Sequence, residues 1–193
     1  YLTGLELLMV MLAGVSLPRP EYNKMMKDLI AALKANGPRI KPKVRLLYTG
    51  GHADNPEFFD LLQQNDAHVV SDNTGFGTRA ADVLIREDGD PLEAIIDYYF
   101  EEKPAATRQM GTQVERMERL LDLVKQYKAD GVVASRLYMC DLWAFEHFLM
   151  RKRLHENNVP FLELEVDYTP EGQGQIKTRV QAFVESLADR QTA

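Results

Sequence analysis

Residues 131–165 have the sequence GVVASRLYMCDLWAFEHFLMRKRLHENNVPFLELE. Two short apolar runs within it, residues 131–135 and 161–165, have the length and composition of buried strands. Residues 142–156 lie between them and have the length of a helix. A strand, a helix and a second strand in this order predict two parallel strands joined by a crossover helix.

The same alternation of apolar runs and amphipathic helices extends to both sides of this stretch. Upstream, residues 44–49 and 67–71 are predicted to be strands, and residues 56–65, 91–102 and 111–128 to be helices. A last helix follows downstream, and its apolar stripe consists of Ile176, Val180, Phe183, Val184 and Leu187. The pattern predicts a three-layer α/β domain, flavodoxin- or Rossmann-like, with a parallel sheet of at least four strands.

Two further helices are predicted before the first strand, over residues 5–15 and 21–35. The apolar run 7–17 could be compared with a signal-peptide core, but no basic residue precedes it, and it is too short to span a bilayer. It therefore predicts a buried helix. We expect a boundary near residue 40, between a helical lead-in (1–40) and the α/β lobe (41–193). Because the first residue is Tyr1, we expect the chain to be a fragment or a processed product, and we expect the lead-in to contact a preceding lobe.

Composition excludes several classes of protein. The chain has 193 residues, 23 of them basic and 29 acidic, for a formal charge of −6. This excess of acid argues against nucleic acid or an anionic membrane surface as a partner. The single cysteine cannot form an internal disulfide or a Cys-x-x-Cys zinc site, so a reducing, cytoplasmic setting is expected.

Ligands of open parallel sheets bind beyond the carboxyl ends of the strands, so the loops there are candidate sites. Amides, hydroxyls and a guanidinium in the loop 72–79 suit an anionic ligand, although a flexible loop with a solvated arginine is an equal alternative. The start of the last helix also favours anions, unless it is an ordinary helix start. The candidate substrate-binding residues are Thr74, Gly75, Phe76, Gly77, Thr78, Arg79, Gly174 and Gln175.

Gly50, Gly51 and His52 follow the first strand and could bring backbone amides close to a phosphate. The loop is only a weak signal, because neither a G-x-G-x-x-G fingerprint nor a P-loop motif occurs in the chain. Turn formation is the alternative for these glycines.

Cys140 is the most specific single candidate for a catalytic or metal-binding residue. A lone cysteine is usually a small buried apolar residue. Its position just after a strand, at the binding edge, also allows a thiolate that acts as a nucleophile or as a ligand of a metal or cluster. His147 lies two turns into the following helix and forms no recognisable catalytic pair with Cys140. Both interpretations remain open from the residues alone.

Several motifs in the second half of the chain resemble the 2-hydroxyacyl-CoA dehydratase and benzoyl-CoA reductase family. The family shows an Asp-Gly-Val strand, a Cys-Asp loop, a Glu-x-Asp pattern and a Gly-Gln-x-x-Thr-Arg helix start. The matching segments are Asp130-Gly131-Val132, Met139-Cys140-Asp141, Val159-Pro160, Glu165-Val166-Asp167 and Gly174-Gln175-Ile176-Lys177-Thr178-Arg179.

The resemblance implies an acyl-CoA substrate, a paired homologous subunit and a [4Fe–4S] cluster held by cysteines from two lobes. Cys140 is thereby implied as a cluster ligand, and this chain as the second lobe. A separate ATP-dependent activator would deliver one electron, and the cluster would pass it to the thioester as a ketyl radical anion that loses water or is reduced in an aromatic ring. Ring reduction is favoured because Leu142 and Trp143 follow Cys140-Asp141, where dehydratases commonly have proline.

The chain departs from the family pattern in the loop 72–79, where many relatives carry another cysteine and this chain carries none. A cluster held by three cysteines then needs two ligands from the missing lobe, a ligand other than cysteine, or a subunit whose cluster is altered. We therefore expect the 193 residues alone to be inactive, to bind no stable cluster and to hold Cys140 as a partly accessible free thiol. The alternatives are a 2-hydroxyacyl-CoA dehydratase subunit, or a non-catalytic scaffold that contacts CoA while its partner carries the cluster.

Overall fold

The computed structural model of the chain describes residues 1–51, 55–64, 66–109, 111–167 and 173–192. Within these ranges, one sheet of four parallel strands has the order β2-β1-β3-β4, which confirms the predicted α/β class. The strands are β1 (Val44–Gly50), β2 (Ala67–Asn73), β3 (Gly131–Leu137) and β4 (Phe161–Val166). The strand order reverses between β1 and β3, which is the switch point where such sheets bind ligands.

Seven α-helices accompany these strands in the described part of the chain. They are α1 (Gly4–Ser16), α2 (Arg19–Asn36), α3 (Pro56–Leu62), α4 (Pro91–Asp97), α5 (Gln113–Gln126), α6 (Asp141–Glu156) and α7 (Gln173–Thr192). A π-helical turn, Tyr98–Glu102, continues α4, and a short 3-10 turn, Thr78–Ala80, follows β2. None of the helices in these ranges is long and apolar enough to cross a membrane.

Two apolar cores lie on the two faces of the sheet. Tyr48 and Val133 point to one face and pack with α1, α3 and α7, whereas Leu47 and Val132 point to the other and pack with α5 and α6. Successive strand residues face opposite sides, so near-continuous apolar runs such as LLY and VVA serve both cores at once. The result is the predicted three-layer arrangement of helices, sheet and helices.

β2 and β3 are each two residues longer than the sequence predicts. Asp72 and Asn73 pair with β1, and Arg136 and Leu137 pair with β4. Polar residues can extend a strand at the sheet edge because pairing uses the main chain and does not require a buried side chain. Asp72 and Arg136 thus belong to strand ends, where their positions are more firmly held than in loops.

α1 is only partly the buried helix that the sequence predicts. Thr3 and Glu6 form a capping box at its start, and Leu8 enters the core beside α3 and β2. Met9 and Val15 are exposed, and α2 contains no buried residue. The division between residues 1–40 and 41–193 stays a prediction. The helix predicted over 56–65 ends at Leu62, and Asn65 lies outside the described residues.

Candidate functional site

The loop after β2 is organised around the buried carboxylate of Asp72. Its Oδ1 accepts hydrogen bonds from the Thr74 amide at 3.0 Å, the Thr74 hydroxyl at 2.7 Å and the Thr78 amide at 3.2 Å. The Thr78 hydroxyl donates to the backbone carbonyl of Asp72. Burial raises the pKa of Asp72, and the hydrogen bonds from Thr74 and Thr78 oppose that rise. Two of the predicted substrate-binding residues therefore hold the loop in shape.

Gly77 lies against the same carboxylate. A Cβ atom at this position would overlap the carboxylate of Asp72, and the Gly77 amide donates to the Thr74 carbonyl at 3.3 Å. The amides of Gly77 and Thr78 are thus already used within the loop. Of the candidates here, Gly75, Phe76 and Arg79 are the ones left to meet a ligand, and Phe76 is 48% exposed.

Gly77→Ala is expected to lower the free energy of unfolding by about 1–3 kcal/mol, because the added methyl group must displace Asp72 or the loop backbone. Chemical denaturation of the two proteins measures the difference. Gly174→Ala is the matched control, because a Cβ at Gly174 meets nothing within 4 Å. Equal stability of the two variants would contradict the close packing at Gly77.

Arg79 is half-buried, and its Nη2 lies over Gly75. Within the described ranges, its guanidinium makes no hydrogen bond or ion pair. Burial lowers the pKa of Arg79, and the neighbouring charge of Arg119 adds to this effect while Asp72 opposes it. A cation in such a place is poorly solvated and is crowded by like charge, so an anion would be favoured there.

The neighbouring arginines have the partners that Arg79 lacks. Arg116 forms a bidentate pair with Glu146, with distances of 2.7 Å (Nε–Oε1) and 2.8 Å (Nη2–Oε2), and both side chains are almost fully buried. Arg119 Nη1 lies 2.5 Å from Asp82 Oδ2. Arg79 is therefore distinguished by the absence of a carboxylate partner among the described residues.

Cys140 is placed at the start of α6, directly beyond β3. Its amide donates to the Leu137 carbonyl at 3.1 Å, and its half-buried side chain packs at the border of the core formed by α5 and α6. Met139, the residue before it, has φ +61° and is exposed. A left-handed residue here turns the chain sharply from the strand into the helix. The thiol thus lies at the ligand-binding edge and is neither fully buried nor fully exposed.

Gln175 lies in the first turn of α7 beside the ends of β3 and β4. It lines a small cleft with Tyr138, Glu165 and Arg179. Gly174 is exposed, and its carbonyl accepts a hydrogen bond from Thr178. In the sheet order, β1 separates these residues from the loop after β2, so the predicted site residues form two groups on either side of the switch point.

His147 lies against a carboxylate that the sequence analysis did not connect with it. Its side chain is fully buried, and Nδ1 is 3.4 Å from Oε1 of Glu163 on β4. Glu163 also pairs with Arg151 on the surface of α6. Burial lowers the pKa of His147, although Glu163 opposes the shift. Neither ring nitrogen of His147 makes a hydrogen bond within the described residues, so the histidine is a buried residue between α6 and β4.

Gly50 and Gly51 serve packing in the structure. The Gly51 amide donates to the Ser135 carbonyl at 3.3 Å, and a Cβ at Gly51 would overlap the indole of Trp143. The close approach of β1 to α6 accounts for a glycine here without a phosphate. His52 and the loop residues 168–172 lie outside the described residues.

The open parallel sheet, with a helical layer on each face and a switch point between β1 and β3, defines a doubly wound α/β domain. The family model described as 2-hydroxyglutaryl-CoA dehydratase, D-component, matches residues 1–187. The chain belongs to this family, as its motifs predict.

Individual relatives agree with this membership. A putative dehydratase subunit of Escherichia coli (strain K12) is 30% identical over 156 residues, which are 78% of this chain and 39% of the relative. The (R)-phenyllactyl-CoA dehydratase beta subunit of Clostridium sporogenes is 24% identical, and the match covers 92% of this chain and 47% of the relative. A benzoyl-CoA reductase subunit of Thauera aromatica is 22% identical, and the match covers 94% of this chain and 48% of the relative. The chain thus spans less than half the length of these relatives.

Proposed function

We propose that this chain forms part of a subunit of an enzyme that dehydrates or reduces an acyl-CoA thioester. The observation that carries the proposal is the half-buried Arg79, which has no partner among the described residues and lies at the carboxyl edge of the sheet in a chain that belongs to this family. CoA carries phosphate groups, which a guanidinium binds in bidentate geometry. The names of two relatives, a phenyllactyl-CoA dehydratase subunit and a benzoyl-CoA reductase subunit, support a CoA thioester as the substrate.

The proposed cofactor, a [4Fe–4S] cluster, can be tested against the residues present. A cluster of this type is held by four ligands, usually cysteine thiolates, and the chain has one cysteine. The described residues include no group of three or more His, Cys, Asp or Glu side chains that could hold a metal ion. The 193 residues therefore do not fit a complete cluster. Cys140 fits one ligand of a cluster whose other ligands lie outside this chain, and such a cluster would supply one-electron chemistry.

The partners belong to the same proposal. The relatives are named as subunits, which supports a second subunit beside the one that contains this chain. By family resemblance, a separate ATP-dependent activator supplies the electron. The cytoplasmic setting rests on the single cysteine, because a reducing compartment keeps a thiol free for iron.

The type of reaction rests on a finer sequence feature. Leu142 and Trp143 after Cys140-Asp141 favour reduction of an aromatic ring, as in benzoyl-CoA reductase, over dehydration of a 2-hydroxyacyl-CoA. No contact in the described residues bears on this choice, so it stays a prediction. Assay of the assembled enzyme with benzoyl-CoA and with a 2-hydroxyacyl-CoA distinguishes the two reactions.

A non-catalytic scaffold is the second candidate function, and the loop 72–79 favours it because that loop lacks the cysteine of many relatives. Such a lobe would keep its contacts with CoA and with the partner while the partner carries the cluster. Anaerobic purification of the full-length protein, with measurement of iron, sulfide and brown absorbance, separates the candidates. A colourless, iron-free protein would favour the scaffold.

Arg79→Ala is expected to raise the apparent KM for the acyl-CoA about tenfold in the assembled enzyme, the loss of one charge-assisted contact of about 1.4 kcal/mol. Steady-state kinetics over a range of acyl-CoA concentrations measures this change. Arg108→Ala is the matched control, because it removes an exposed arginine from a nearby segment. A KM that is the same in wild type and Arg79→Ala would count against Arg79 as a contact to the thioester.

A further inference from the structure

A small cavity opens beside Arg79, between the loop after β2 and the segment that follows α4. Its volume is about 260 Å³, and its wall includes Gly75, Arg79, Tyr99, Lys103 and Gln109. Pockets that enclose a whole drug-sized ligand are roughly 300–1,000 Å³. This cavity therefore suits one end of an extended ligand better than an entire one.

Among the residues that the structure describes, the wall of this cavity carries two cations, Arg79 and Lys103, and no carboxylate. The Lys103 ammonium lies over the Tyr99 ring, with Nζ 4.7 Å from the ring centroid, and it is 5.9 Å from the centroid of Tyr98. No carboxylate in the described ranges pairs with Lys103. The rings hold the ammonium without neutralising it, so both Lys103 and Arg79 keep their charge available to a ligand.

A larger neighbouring cavity of about 560 Å³ has the opposite character, although it shares Lys103 and Gln109. Carboxylates would repel an anion there, since like charges at close range are unfavourable. The acidic residues in its wall are Asp82, Glu101, Glu102, Glu115, Glu118 and Asp122, and they outnumber its three cations, Lys103, Arg116 and Arg119. Of these two cavities, only the smaller one favours an anion.

The part of the wall around Gln109 is fixed by hydrogen bonds within the protein. Arg116, held by Glu146, donates through Nη1 to the Gln109 carbonyl at 3.1 Å and to the Thr112 hydroxyl at 2.6 Å. The Gln109 side-chain carbonyl accepts from the Ala106 amide at 2.6 Å, which leaves its NH2 group as a donor. Because this segment is held in place before a ligand arrives, binding costs less ordering entropy.

We propose that this cavity, the Arg79–Lys103 pocket, binds phosphate groups of the CoA thioester. The inference rests on the proposed function and adds Lys103 and Gln109 to its site. The Arg79 guanidinium binds one phosphate in bidentate fashion, and the Lys103 ammonium acts on the phosphates as a point charge. The Gln109 NH2 group and the Tyr99 hydroxyl supply neutral donors. The acyl and pantetheine portions extend from the pocket toward the switch point of the sheet.

The test is equilibrium titration of the full-length protein with CoA, with pantetheine and with inorganic pyrophosphate. Lys103→Gln is expected to weaken CoA binding about tenfold, as expected for one charge-assisted contact, and to leave pantetheine binding unchanged. Pyrophosphate should compete with CoA in the wild type and should lose this effect in Lys103→Gln. Lys103→Arg retains the charge and should retain CoA binding, which separates lost charge from a disturbed fold. Arg108→Gln, a loss of charge outside the pocket wall, is expected to bind CoA as the wild type does.

Two results would overturn the pocket. One is equal CoA affinity in Lys103→Gln and Arg108→Gln, and the other is an equal loss of CoA and pantetheine binding in Lys103→Gln. Failure of the pocket proposal can be distinguished from failure of the proposed function. Turnover of an acyl-CoA with an unchanged KM in Lys103→Gln would reject the pocket alone. Binding of CoA that depends on Lys103, in an enzyme that turns over no acyl-CoA, would reject the proposed reaction alone.

Discussion

Cys140→Ser is expected to remove the proposed iron–sulfur cluster from the assembled enzyme and, with it, all turnover of the proposed acyl-CoA substrate. Cluster ligation requires a thiolate, and a serine hydroxyl is a poor replacement because it is a harder ligand that deprotonates far less readily. The position of the thiol supports this role, since it is half-buried at the carboxyl edge of β3, where a ligand shared with another part of the enzyme can be reached. Iron and sulfide analysis and the visible spectrum of the anaerobic protein measure the loss.

Met139→Leu is the control for this change. Met139 is the neighbouring sulfur-containing residue and is 76% exposed, so its replacement should leave the iron content unchanged. Full retention of iron in Cys140→Ser would reject the ligand role and would assign Cys140 to the border of the core formed by α5 and α6. That second result would also favour the scaffold over the cluster-binding subunit.

Glu146→Gln is expected to lower the free energy of unfolding by about 3–5 kcal/mol, the range found when one partner of a buried ion pair is removed. The Arg116 and Glu146 side chains are only 7% and 3% exposed, so an uncompensated guanidinium would remain in a poorly solvated place. The change also loosens the segment that Arg116 holds through Gln109 and Thr112. Chemical denaturation monitored by circular dichroism measures the effect.

Glu118→Gln provides the comparison. Glu118 pairs with Arg153, but both side chains are about half exposed, so a change of less than about 1 kcal/mol is expected. The double variant Arg116→Met with Glu146→Leu should be more stable than Glu146→Gln, because it removes both charges from the interior. A loss of stability in Glu146→Gln no larger than in Glu118→Gln would show that the buried pair contributes little.

The fold could be predicted from the sequence because its main determinants are local. Runs such as GVVAS and FLELE have the length and composition of strands, and helices of recognisable length separate them. The strand ends were missed by two residues at Asp72 and Arg136, since polar residues at a sheet edge carry no apolar signal. The helix α1 was expected to be more buried than it is. The hydrophobicity of a helix does not show how much of its surface other elements cover.

The loop after β2 was located correctly, and a substrate-binding role for its residues stays a prediction. The Gly-rich sequence suggested a row of free amides, whereas the structure directs the amide and hydroxyl groups of Thr74 and Thr78 to Asp72. No local pattern distinguishes an amide that faces a ligand from one that faces a neighbouring carboxylate. Both choices satisfy the hydrogen-bonding requirement of the backbone equally well.

The sequence by itself determined the parallel α/β class, the family and the position of Cys140 just after a strand, because these depend on residues that are close together along the chain. Only the tertiary structure decided which charges meet. Arg116 and Glu146 are 30 residues apart in sequence, and Lys103 joins Arg79 at one cavity from a different segment. Whether an arginine is paired or left open to a ligand depends on the strand order and on the packing of distant helices, which bring side chains together that have no relationship in the sequence.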